Sequence, residues 1–271
     1  MSFQKQVREH LCSYKHDNYP CIPSVNWRGK KYFHIFPDEY KYYNIIDTYR
    51  QKFISSEFNT IKLHNDFSHL TSSQALGINL LYPLIDTNKL ELLLEAIGLP
   101  NEVVRYESVE FEKSGIERFF SDLNFSTKFD FYLETQSNKK IYFKIKYYEN
   151  SLGYSRISKT HVKRYDLIYS KLLHPFIQKY QSQEVFFRHY KIMKQLVHIN
   201  QDTYLIYICP RANRSLSSQL DFVHDEVIKE DYRDYFINAD LEDIINYFKA
   251  CLSNIDLLKH YHAFIDKYID M

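Results

Sequence analysis

Residues 128–148 read KFDFYLETQSNKKIYFKIKYY, two alternating runs separated by a short polar bend. In the first run Phe129, Phe131 and Leu133 alternate with Asp130, Tyr132 and Glu134. In the second, Ile141, Phe143, Ile145 and Tyr147 alternate with Tyr142, Lys144, Lys146 and Tyr148. Period-two alternation rich in aromatic and β-branched residues marks strands with one face toward a core. Gln136, Ser137 and Asn138 supply the turn chemistry between them. Folded symmetrically about Ser137, the hairpin pairs Glu134 with Lys140 and Tyr132 with Tyr142. That register sets Asp130 opposite Lys144, with Lys146 one step along the same face.

Upstream, Val104, Tyr106, Ser108 and Glu110 alternate against Val103, Glu107, Val109 and Phe111, which predicts a third strand ending near Lys113 and completes a meander. The acids Glu107, Glu110, Glu112 and Glu117 lie just ahead of Asp130. Downstream, TYLIYIC at Thr203–Cys209 is nearly unbroken apolar, as a strand buried on both faces should be. Helices are expected elsewhere. Residues 72–84 carry apolar residues at helical spacing behind a Ser72 or Ser73 cap and end at Pro83, and residues 87–97 are closed by Gly98 and Pro100. One long helix is predicted over 183–198, and further helices over 2–14, 38–54, 217–228, 241–254 and 255–269. Between the hairpin and the long helix, Arg156, Lys159, Lys163 and Arg164 fall on one side of a basic helical stretch.

The totals narrow the function classes. Lys and Arg number 35 against 34 Asp and Glu over 271 residues, a net charge of +1, so no global field draws the protein to polyanions and any such binding rests on a local patch. Cys12, Cys21, Cys209 and Cys251 are scattered without a C-x-x-C, which argues against a disulfide framework or a zinc ribbon and fits a reducing cytoplasm. Cys12, His16, Cys21 and His34 are spaced unlike the common zinc patterns. The opening MSFQKQVREH is too polar for a signal peptide, and no apolar run approaches the ~18 residues of a membrane span, so a soluble cytoplasmic protein is expected.

An aspartate on one strand followed by x-x-Lys on the next resembles the PD-(D/E)xK nuclease superfamily. FDFYLE at 129–134, then KKIYFKIKYYEN and Gly153, is similar to a bacterial restriction-endonuclease-like family whose usual text is FDFYIE, then FEVKYTE and a glycine. HLTSSQALGINLLYPL at 69–84 and QEVFFRHYKIMKQLVHI followed by LIYICPRAN resemble further text of that family, so the likeness runs over about residues 66–220. It implies an α/β fold, the PD-(D/E)xK restriction-endonuclease-like core α-βββ-α-β, with a mixed sheet flanked by helices. A single domain is implied over 1–271, with the core at 66–212, an N-terminal helical extension at 1–65 and a C-terminal one at 213–271.

The resemblance also implies roles. Asp130 and the backbone carbonyl of Ile145 become ligands for Mg2+ or Mn2+, Lys146 the catalytic cation, and Glu112 an acid borrowed from the preceding strand. Ser73 and Gln74, with Ser72 and Asn79, line the site. Arg156, Lys159 and Lys163 meet DNA phosphates. The implied setting is restriction or phage defence, and restriction endonucleases are often homodimers.

One position departs from the pattern. Where the family carries an acid, this chain carries Lys144. Two unit charges at ~4 Å interact by about 4 kcal/mol at an effective dielectric near 20, ample to pair Lys144 with Asp130 and to repel a metal ion. Three readings follow. A DNA endonuclease of weakened activity has Glu112, Glu134 or Glu149 replacing the lost ligand, although Glu149 also matches the glutamate of FEVKYTE. A catalytically inactive relative keeps the fold and binds nucleic acid or a partner. An unrelated α/β scaffold has FDFYLE and KIK as ordinary amphipathic strands.

Overall fold

The computed structural model describes residues 1–116 and 126–271, so Glu117 lies outside the described residues. The chain opens with α1 (Phe3–Asn18), a small antiparallel ribbon of β1 (Val25–Trp27) and β2 (Lys30–Tyr32), and a 3-10 turn over Asp38–Asn44. Helices α2 (Asp47–Ser55), α3 (Ser73–Asp86) and α4 (Glu91–Ala96) precede the meander β3 (Val104–Ser114), β4 (Lys128–Thr135) and β5 (Lys140–Ile145). Next come α5 (Lys159–Leu167), α6 (Gln183–Arg188), α7 (Tyr190–Leu196) and β6 (Thr203–Cys209). Helix α8 (Arg214–Phe222), β7 (Phe236–Asp240), α9 (Leu241–Cys251) and α10 (Ile255–Tyr268) complete the order.

The main sheet has five strands in the order β3-β4-β5-β6-β7. Its first three are antiparallel neighbours, while β6 joins β5 and β7 joins β6 in parallel, so the sheet is mixed. The hairpin register is the one its alternation dictates, with Glu134 opposite Lys140 and Tyr132 opposite Tyr142. All seven residues of β6 are buried, because helices cover both faces of the sheet. One face carries a core of Phe131, Leu133, Phe143 and Ile206 packed with α1, α2, α3, α9 and α10. The other carries Phe129, Leu205, Tyr207 and Phe236 packed with residues of α5 to α8.

Several elements depart from the sequence-based expectations. Pro83 lies inside α3, which continues to Asp86. A proline there leaves the carbonyl four residues back without its helical donor, and His260 Nε2 takes that place, 2.7 Å from the Asn79 carbonyl. The expected helix over 87–97 begins only at Glu91, after Asn88 turns through φ +52°. The expected helix over 183–198 is broken at His189 (φ −116°, ψ 28°) into α6 and α7. With that break Phe186 stacks on Tyr169 at 5.3 Å between centroids, and Tyr190 meets the same ring edge-on at 6.1 Å. Beyond Asn213 the chain is not all helical, since FINAD forms the edge strand β7. The basic helix begins at Lys159, which leaves Arg156 in the preceding loop, and Arg164 is buried rather than on the exposed face of Lys159 and Lys163.

Candidate functional site

At Asp130 the strand turns over. Phe131 faces one core and Phe129 the other, although residues two apart on a regular strand share a face. The twist brings the Asp130 carboxylate toward β5. Its Oδ2 accepts the Ile145 backbone N–H at 2.6 Å, and its Oδ1 lies 2.5 Å from the Lys144 ammonium. Lys144 also donates to the Lys128 carbonyl at 3.3 Å. The two side chains are only 11% and 15% exposed, so the pair is shielded from most solvent screening.

Around the pair lie two further carboxylates, each with its own cationic or hydrogen-bonding partners. Glu149 accepts from Lys146 Nζ at 3.1 Å through Oε1, and from Ser73 Oγ at 2.8 Å and the Tyr147 N–H at 3.1 Å through Oε2. Burial pushes this carboxyl up, but the Lys146 charge and these hydrogen bonds outweigh it and hold it below the usual glutamate value. Ser73 is the first residue of α3 and Ser72 caps that helix, so the contact docks the start of α3 against the segment after β5.

Glu112 sits on β3 in the left-handed region at φ +57°, a conformation that costs energy for a side chain of this kind. Its Oε1 accepts from Gln74 Nε2 at 2.9 Å and stands 3.2 Å from His64 Nε2. Gln74 in turn joins residues 62–64, donating to the Lys62 carbonyl and accepting the His64 N–H. Burial raises the Glu112 carboxyl, but the His64 contact, the Gln74 hydrogen bond and the Lys144 charge bring it below its ordinary value. The hydrogen bond with Glu112 raises His64 against its partial burial, and the charges of Glu112 and Asp130 add to that rise.

Asp130, Lys144, Lys146, Glu112, Ser73 and Gln74 therefore belong to one neighbourhood. Asn79, expected to line it, instead sits in the core, bonded to the Ile46 N–H, the Asn44 carbonyl and the Tyr268 hydroxyl. Arg156, Lys159 and Lys163 are exposed. The cations that flank the pair come from elsewhere. Lys128 at the start of β4, and Lys191 and Lys194 on α7, line a cleft that Lys144 and Lys146 also line. No local pattern in the sequence marks the lysines of α7, which reach the cleft only through the fold.

The donor set as arranged does not fit a divalent cation. Such an ion takes several oxygen ligands, yet both Asp130 oxygens are engaged and an ammonium stands beside them. Among the described residues no three His, Cys, Asp or Glu side chains gather where they could hold a metal. The same holds for Cys12, His16, Cys21 and His34. No helix among the described residues is long and apolar enough to cross a membrane.

A family model described as "Restriction Endonuclease associating with ARP" matches residues 4–269. No curated protein and no solved structure matches the chain.

Proposed function

The chain belongs to the family of restriction endonucleases associating with ARP, and on that premise we propose that it is a DNA-binding member of the PD-(D/E)xK lineage in which Lys144 has displaced metal-dependent cleavage. The observation that carries the proposal is the ion pair, with the Lys144 ammonium 2.5 Å from Asp130 and the Ile145 N–H on the other oxygen. An acid at 144 would add a carboxylate beside Asp130. A lysine there cancels the Asp130 charge and leaves its surroundings cationic, which favours a phosphate and disfavours a divalent ion. Lys146 is the cation of the (D/E)xK pattern, and here Glu149 orients it.

A second reading has one observation in its favour. The left-handed backbone at Glu112 is a strained conformation beside the site, of the kind found where a side chain is held ready to be re-aimed. Released from His64 and Gln74, Glu112 would stand in for the missing acid and cleavage would survive in weakened form. A plasmid-nicking assay in Mg2+ or Mn2+ separates the two. The expected result is no nicking by the natural chain, nicking gained in Lys144→Glu, and that gain lost in Lys144→Glu/Asp130→Ala. Nicking by the natural chain that disappears in Asp130→Ala would establish the second reading and overturn the first.

A further inference from the structure

Beside Asp130 opens a cleft of about 600 Å3, bounded by the segment after β5, by α7 and by the start of β4. Among the described residues five lysines line it, Lys128, Lys144, Lys146, Lys191 and Lys194, against one acid, Glu149. Two of these lysines already face acids, Lys146 against Glu149 and Lys144 against Asp130. So dense a group of like charges in a concave site repels itself and focuses a positive potential outward.

Lys191 lies across the turn at Gly153. Gly153 adopts φ +84°, and a Cβ at that residue would fall 2.9 Å from Lys191 Cδ and 3.0 Å from its Nζ. That turn's positive φ favours glycine, and its lack of a side chain leaves room for the lysine. At the cleft rim, Tyr148 accepts a hydrogen bond from Arg8 of α1, which extends the positive surface toward the amino-terminal helix.

We infer that this cleft is a phosphate-binding site for duplex DNA that works without a divalent ion, with Lys191 and Lys194 of α7 as its principal phosphate contacts. The inference rests on the DNA-binding reading above and assigns it residues. The Lys144 ammonium supplies positive charge where a bound metal would otherwise meet the backbone, so chelation leaves the contact intact. The lysines carry no base-reading geometry, so the affinity they confer is electrostatic and falls steeply with salt.

The test is fluorescence anisotropy of the full chain with a labelled duplex of about 20 bp in EDTA, over roughly 50–200 mM salt. Binding is expected in EDTA and is unchanged by Mg2+ at matched ionic strength. Lys191→Ala/Lys194→Ala should weaken it about tenfold or more and lower the log–log salt slope by about 2, since each lost phosphate contact removes about 0.9. Lys249→Ala/Lys259→Ala, exposed lysines on α9 and α10, should bind like the natural chain. An unchanged slope in Lys191→Ala/Lys194→Ala, or a loss that falls on Lys159→Ala/Lys163→Ala instead, overturns the cleft assignment and leaves DNA binding standing. Binding that requires Mg2+ overturns metal independence. Absence of duplex binding by the natural chain at the lowest salt overturns both the cleft and the reading beneath it.

Discussion

Lys144 is fixed by its strand, by the Asp130 carboxylate and by the Lys128 carbonyl, and removing any member of a shielded ion pair leaves the other charge uncompensated. Lys144→Ala should therefore destabilise the fold by about 2–4 kcal/mol, read as a lower urea midpoint at unchanged m-value. Lys144→Met/Asp130→Asn, which leaves neither charge and keeps an acceptor for the Ile145 N–H, should recover most of that loss. A double variant as unstable as the single one would show that shape rather than charge holds the site. This pair is legible in the sequence because the hairpin register carries down both strands, even though the alternation of faces breaks between Phe129 and Phe131. Once Glu134 faces Lys140, Asp130 can only approach Lys144. The His64–Gln74–Glu112 cluster is not legible in the same way. Its members come from a loop, a helix and a strand far apart in the chain, and no local period links them.

Helix α3 reaches β5 through Gly77, where an added Cβ would stand 2.8 Å from Ile145 Cδ1 in the buried interior. Gly77→Ala gains up to about 1 kcal/mol of helix propensity but overpacks the core at a cost of about 1–3 kcal/mol. A net loss of about 1 kcal/mol is expected from those two effects. Ile145→Val removes the methyl group in question, so Gly77→Ala/Ile145→Val should lose less than the two single variants summed, and a double-mutant cycle by urea unfolding measures the coupling. Additive losses would rule out the contact as the cause. The elements that escape a reading of the sequence are those where tertiary contacts overrule local pattern. FINAD is five residues among acidic neighbours, too short for alternation to declare a strand, and it gains its identity only by pairing with β6. Pro83 signals a helix end, yet α3 continues past it because His260 satisfies the Asn79 carbonyl from a distant helix. The lysines of α7 escape for the opposite reason, since charge on a short helix usually marks nothing more than contact with water.

Across the molecule, buried neutral histidines set the acid limit of stability. His260 is fully buried, with Nε2 against the Asn79 carbonyl and Nδ1 2.7 Å from Thr48 Oγ1, and burial lowers it from 6.5 to about 4. Burial, aided by the Arg8 charge, likewise lowers His34 to about 4. A histidine lowered on folding binds its proton more readily in the unfolded chain. Its contribution is intact above the unfolded value near 6.5 and is lost as pH falls from there toward 4. For His260 the loss reaches about 3 kcal/mol, since each tenfold difference in proton affinity between the folded and unfolded chains is worth about 1.4 kcal/mol. His64 acts with the opposite sign, because a raised histidine favours the fold below about 6.5 and ceases to as pH climbs through its folded value, but it is 45% exposed and screened by salt. Urea unfolding at several pH values between about 7 and 4.5 should show a steady fall that flattens in His260→Gln. An identical slope in that variant would remove His260 from the account.

The contacts of Asn79 and Asn44 reach further than stability. Asn79 bonds to the Ala75 carbonyl within α3, to residues 44 and 46, and to the Tyr268 hydroxyl, while Lys267 donates to both the carbonyl and the side-chain oxygen of Asn44. Helix α10 thus supplies partners to polar groups laid down some two hundred residues before it. While residues 255–268 are held in the ribosomal exit tunnel, the Asn79 and Asn44 carbonyls lack the donors that His260 and Lys267 bring them. Assembly of this core therefore waits for α10, and a chain that stops short of it buries the Asn79 carbonyl without a donor.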